Sequence, residues 1–148
     1  MRHAPIVPIR ASVSAPIRRP DLPALPDCER LDVYRVAVEF QLLASSICCG
    51  RRLGTLRDQL DRASVSIVLN IAEGSGRFAP AEKAHFYLIA RGSAMECLAV
   101  LSLLSARSLV STDVCGRGRS LIMRLVAMLT RLASTMQIKA RRNDPFQG

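Results

Sequence analysis

Six of the eight prolines crowd into residues 1–28 (Pro5, Pro8, Pro16, Pro20, Pro23 and Pro26), and from there to Pro145 only Pro80 intervenes. Proline carries no amide donor and its ring clashes inside a helix, so this first segment cannot be regular helix or central strand. Everything after it is free to be helical. The segment is Arg-rich with no acid before Asp21. Its prolines exclude the amphipathic helix of a transit peptide, and it holds no apolar run suited to a signal peptide. It reads as a disordered extension, 1–28.

From Glu29 onward apolar residues recur at helical spacing. Val33, Val36, Ala37, Phe40, Ala44 and Ile47 place a first helix at about residues 29–48. Gly50 and Gly54 bracket a short basic loop with Arg51 and Arg52. Leu56, Leu60, Ala63, Ile67, Asn70, Ile71 and Gly74 share one face of a second helix, which Gly74-Ser75-Gly76 should end with a left-handed turn. Pro80 suits the first turn of a third helix, whose inner stripe is Phe86, Ala90, Ser93, Cys97, Val100 and Leu104. Ser111, Thr112 and Asp113 offer caps for a fourth, weakened early by Gly116 and Gly118. Its apolar residues form two stripes: Leu121, Leu125, Met128, Leu132 and Thr135, then Ile122, Val126, Leu129, Ala133 and Met136. No stretch alternates long enough with period two to argue a strand. The expected fold is all-α, an antiparallel up-down four-helix bundle over residues 29–142, with 143–148 as a tail.

Composition supports this. Apolar residues make up 49% of the chain but aromatics only 4%, with no Trp, so Leu, Ile, Val, Ala and Met must build the core. At this size a domain buries roughly 70% of the surface its unfolded chain exposes. The most apolar stretches, Ala94–Leu104 and Leu121–Leu132, are short for a membrane span and carry Glu96, Arg124 and Arg131. Gly92 in mid-helix costs about 1 kcal/mol against Ala, which a close approach between the small-residue-rich helices two and three would offset. The second stripe of helix four exceeds the one face a bundle buries. It points either to a neighbouring subunit at Leu129 and Met136 or to a deeply buried helix.

The net charge is +9, and residues 113–148 carry seven basic against two acidic groups. A surplus at one end suits a polyanion, nucleic acid or an anionic surface; charge alone is equally consistent with a solvated helix face. Arg117, Arg124 and Arg131 recur every seven residues and so line one side of helix four. Arg119 opens that helix, and Lys139, Arg141 and Arg142 close it, where the helix dipole also favours cations.

Catalysis finds little support. The five cysteines have no repeated spacing, no CxxC knuckle occurs, and the chain holds only two His. Free thiols in a reducing cytoplasm are expected. Glu82 and His85 match one Glu-x-x-His of a di-iron bundle, but the required second copy is missing. Ser93, His85 and Glu73 form a triad on paper without a nucleophile elbow. No phosphate loop or cofactor motif is present, and no aromatic-rich stacking platform marks RNA or DNA preference. Asn70 and Glu73, then Ser93 and Glu96, repeat one spacing on adjacent helices and should meet near the Gly74–Pro80 turn. Arg77 would pair with Glu73 there, a structural role that fixes register.

The run from Gln59 to Arg77, with Arg62, Ser66, Asn70, Glu73 and Gly74 in place, resembles the "QL-RA--SI--NIAEG--R" signature of a small four-helix-bundle protein family. Phe86–Glu96, with Ile89, Ala90, Gly92 and Ser93, is similar to its "FL-IA-GS--E" segment, and Val33–Ala37 to its "VW--A" start with Tyr34 for Trp. That family includes proteins encoded in intervening sequences of bacterial large-subunit ribosomal RNA genes. It is related to the accessory variability protein of diversity-generating retroelements. The resemblance implies a homopentameric barrel with a basic surface and no known enzymatic activity. In the retroelement relatives the barrel binds a reverse transcriptase and nucleic acid.

The combined expectation is a non-catalytic, cytoplasmic, oligomeric protein without cofactor, metal or membrane. It would bind nucleic acid through Arg117, Arg119, Arg124, Arg131, Lys139, Arg141 and Arg142. The alternative is a protein-interaction scaffold, for instance an accessory subunit docking on a reverse transcriptase.

Overall fold

The computed structural model describes residues 27–49 and 53–143. The expected extension beyond Asp27 and Cys28, the loop residues Gly50, Arg51 and Arg52, and the tail past Asn143 lie outside the described residues. Within them a 3-10 turn, Asp27–Arg30, precedes four helices: α1 Asp32–Cys48, α2 Thr55–Gly76, α3 Pro80–Ala106 and α4 Thr112–Arg142. No strand occurs among the described residues. The central contacts are those of α3 with α2 and α4, and α1 closes the ring against α2 and α4.

One core runs through all four helices. Every apolar position expected on the first helix is buried, and Leu60, Ile67 and Ile71 bury the predicted face of α2. Phe40, Leu104, Ile122, Leu125 and Leu129 are fully enclosed, each contributing roughly 1.5–3 kcal/mol of transfer free energy. The stripe on α3 is rotated from expectation. Tyr87 and Ala94 are buried where Phe86 and Ser93 were expected, and those two are only half-buried. Tyr87 turns inward because Gly74 leaves it room: a Cβ there would stand 2.9 Å from the tyrosine ring.

Two expectations about glycine change. Gly74 and Gly76 do not adopt a left-handed turn, and α2 ends instead in extended backbone at Arg77. Ala79, which precedes Pro80, is extended as well. Among the described residues the left-handed glycine is Gly54, φ +55°, opening α2. Gly92 makes no close approach, since a Cβ built there meets nothing within 4 Å. It faces outward from α3.

The expectation for α4 also changes. Its two stripes merge into one broad buried arc, because the helix rests in the groove between α1 and α3. Leu129 is 0% exposed inside its own subunit and cannot contact a neighbour. Met136, Val126, Met128 and Leu132 pack partly buried on the same core, while Thr135 is exposed. Ser111 caps α4, its hydroxyl accepting from the Val114 amide at 3.4 Å. The helix then runs straight through Gly116 and Gly118. Gly118 makes room for Leu101, whose Cδ1 lies 2.7 Å from a would-be Cβ. By length and composition alone, α3 and α4 are long and apolar enough to cross a membrane, longer than the apolar stretches read from the sequence. Part of each is shared with the core, 33% of the apolar stretch of α3 and 28% of that of α4 being buried, and α4 carries charge along most of its length.

Candidate nucleic-acid interface

All seven cations assigned to nucleic acid are exposed on α4. Asp113 is the only acid on that helix, and none of the seven forms an ion pair among the described residues. The ion pairs there are Arg35 with Asp32, at 3.6 Å, and Arg77 with Glu73. Side chains held out into water without a carboxylate partner keep their full positive field for a ligand.

The seven do not form one patch. Arg117, Arg124 and Arg131 stand about 10 Å apart along one flank. Arg142 lies close to three turns beyond Arg131 and returns to that flank. Arg119 is on the other side, lining a cleft between α3 and α4 with Leu98 and Ser102. Arg141 lines a second α3–α4 cleft with His85 and Leu88. Lys139 borders a third cavity, near the 3-10 turn, that also takes in Met136. The structure therefore assembles a four-arginine row and distributes the other three cations elsewhere.

Of the family-motif residues, Gly74 and Ser93 lie between α2 and α3, with Ser66 beside them, while Gly92 faces outward. Ser66 and Ser93 share a hydroxyl hydrogen bond of 2.9 Å, and the Asn70 amide donates to the Ser66 carbonyl at 2.8 Å. Arg77 donates to Glu73 and lies 5.1 Å over the Phe86 ring, as the sequence suggested for the first of these contacts. Glu96 departs from expectation. It accepts from Gln59, which in turn accepts from Arg62 at 2.6 Å. The reason is distance along the helix: Glu96 is too far from the turn to reach the level of Asn70 and Glu73.

The Ser93 hydroxyl is engaged by Ser66 and the Ile89 carbonyl, while His85 meets the Phe86 ring edge-on at 5.6 Å. Burial pushes the Cys97 thiol up to about 12 and raises the Cys48 thiol and the Tyr87 phenol. Two functional features escape sequence reasoning. Arg91 donates to Thr130 at 3.0 Å, tying α3 to the basic helix. Phe78, in the α2–α3 turn, is 97% exposed. A lone aromatic between Arg77 and Pro80 was the available signal.

Among curated proteins none matches the chain significantly. Residues 29–131, well over half of the chain and all of α1 to α3, match the family described as 23S rRNA-intervening sequence protein, and the chain belongs to that family.

Proposed function

We propose that this chain is a non-catalytic, oligomeric four-helix-bundle protein that binds nucleic acid, RNA foremost, with weak sequence preference. The observation that carries the reading is the unpaired arginine row on α4. Four guanidinium groups on one flank, with no carboxylate partner among the described residues, match the repeating charge of a phosphate backbone rather than a base edge. The family's association with ribosomal RNA genes favours RNA.

Two structural readings accompany it. The helices run up-down and antiparallel: Ser66 meets Ser93 while the earlier Gln59 meets the later Glu96, and Arg91 meets Thr130 while the later Leu101 meets the earlier Cys115. The chain self-associates, with a pentamer as first choice, through the outer face of α3. Leu88, Ile89, Met95 and Leu103 are exposed there, and Glu96 is the only acid beside them. A cytoplasmic location without a membrane partner belongs to the same reading.

The test is the double substitution R124Q/R131Q. It should weaken binding to all sequences alike and reduce the salt slope by about two, since each phosphate contact contributes nearly one unit. Fold and oligomer should be unchanged by circular dichroism and light scattering. Unchanged affinity, or binding insensitive to salt between about 50 and 200 mM, would support a protein scaffold, with a reverse transcriptase among its partners.

A further inference from the structure

At the end of the bundle where α2 turns into α3, a cavity of about 500 Å³ opens between the 3-10 turn, α3 and α4. Tyr87 and Phe78 line it, together with Leu31, Leu132 and Met136. Its rim is basic: Arg30, Lys83 and Lys139 border it, against the single carboxylate of Asp27. None of these three cations belongs to the four-arginine row. The volume falls within the range typical of small-ligand sites.

Two side chains in it are unusual. Tyr87 is 97% buried, being 3% exposed, yet its hydroxyl has no hydrogen-bond partner among the described residues. No fully enclosed side-chain oxygen or nitrogen among them lacks a partner, so the hydroxyl reaches open space, and Tyr87 lines the cavity. A buried phenol whose only polar atom points into an open space is poised to bond a ligand. Phe78 is the opposite case, a full apolar ring held out in water at 97% exposure. It forms the ridge between this basic cavity and a second cleft, lined by Glu73, Arg77 and Glu82. Lys83 spends one ammonium hydrogen on the Ser75 carbonyl at 2.8 Å, which fixes it at the rim with two donors to spare. The positive end of the α3 dipole, uncapped by any side chain, lies at Pro80 on the same rim.

We propose that this cavity is a nucleotide pocket that takes one unpaired base of a single-stranded nucleic acid. Phe78 stacks on the base, the Tyr87 hydroxyl bonds to its edge, and Lys83, Lys139 and Arg30 hold the adjoining phosphates. The pairing of an exposed aromatic face with a cationic rim is the chemistry of single-strand recognition. The cleft across the Phe78 ridge offers only Arg77, already paired with Glu73, beside the carboxylate of Glu82, so the strand is drawn to the three cations of the basic side. The proposal rests on the reading of α4 as a phosphate-binding helix and adds to it a preference for unpaired segments.

The chain has two tyrosines and no tryptophan, which makes the test direct. In full-length Y34F, Tyr87 is the only tyrosine, and its emission reports the cavity. Titration with a short oligouridine should quench that emission saturably, whereas a duplex of equal length should bind without quenching. By fluorescence anisotropy with labelled strands, F78A should weaken single-strand binding by about ten-fold and leave duplex binding unchanged. Y87F, which keeps the ring and its packing, should lose part of the same preference. Full duplex binding with steep salt dependence, but no quenching and no effect of F78A, would overturn the pocket and leave the helix-four reading standing. Loss of both duplex and single-strand binding in the native chain would overturn both. A change of oligomeric state in F78A would also overturn the pocket, by making Phe78 an assembly residue.

Discussion

At the scale of single residues, two glycines of similar sequence context have opposite meanings. Gly74 is pressed against the Tyr87 ring and the Phe86 Cβ, at 2.9 and 3.1 Å from a would-be Cβ. Gly74→Ala must push apart two packed helices and should destabilise the protein by about 1–3 kcal/mol. Gly92 meets open space, so Gly92→Ala should stabilise the helix by about 1 kcal/mol. Chemical denaturation of the two variants checks both signs. Cys97 supports a pH prediction. Burial raises its thiol to about 12 from an ordinary value of 9.0, so the folded state prefers the proton. That contribution is complete below pH 9 and is lost as pH rises toward 12, because the unfolded chain ionises first. Denaturation midpoints should fall over that window and fall less in Cys97→Ala.

At the scale of elements, α4 decides most. Its N-terminus depends on Ser111, whose hydroxyl accepts from Val114 over a long 3.4 Å. Ser111→Ala should therefore cost no more than about 1 kcal/mol, near the lower part of the range for caps. Its last turn concentrates Lys139, Arg141 and Arg142, each worth roughly 0.3–1 kcal/mol against the helix dipole. Those three therefore stabilise the helix in addition to any ligand contact, whereas Arg124 and Arg131, in mid-helix, are too far from either terminus to do so. For this reason the R124Q/R131Q pair isolates ligand binding from helix stability. The α2–α3 pair is legible in the sequence in part: Arg77 pairs with Glu73 as expected, but Ser93 meets Ser66 rather than Asn70, whose amide turns back onto its own helix. Glu96 instead meets Gln59, because spacing within a helix says nothing about which level of its neighbour a residue reaches.

At the scale of the whole molecule, the question is which apolar surface a second copy would cover. Leu129 lies wholly within the core, so Leu129→Asp should abolish folding, seen as loss of helical circular dichroism. Met95, 44% exposed on the outer face of α3, is the better probe. Met95→Asp should leave the fold intact and reduce the mass seen by light scattering from a multiple of 16.2 kDa, five-fold as first choice, to the single chain. A native chain that scatters as a monomer would end the oligomer proposal.

The sequence alone determined the class and count of the elements, because proline placement and helical periodicity are local properties of the chain. It also determined which cations lie on α4, since a heptad spacing aligns residues on any helix. Only the tertiary structure decided which faces are covered. It drew most of both stripes of α4 against the core while leaving Thr135 exposed, rotated α3 so that Tyr87 turned inward over Gly74, and left Leu88, Met95 and Phe78 in water. Burial depends on where the other three helices lie, and no periodicity within one helix encodes that. The basic cavity is of the same kind. Arg30, Lys83 and Lys139 come from three separate elements, and only packing brings them to one rim.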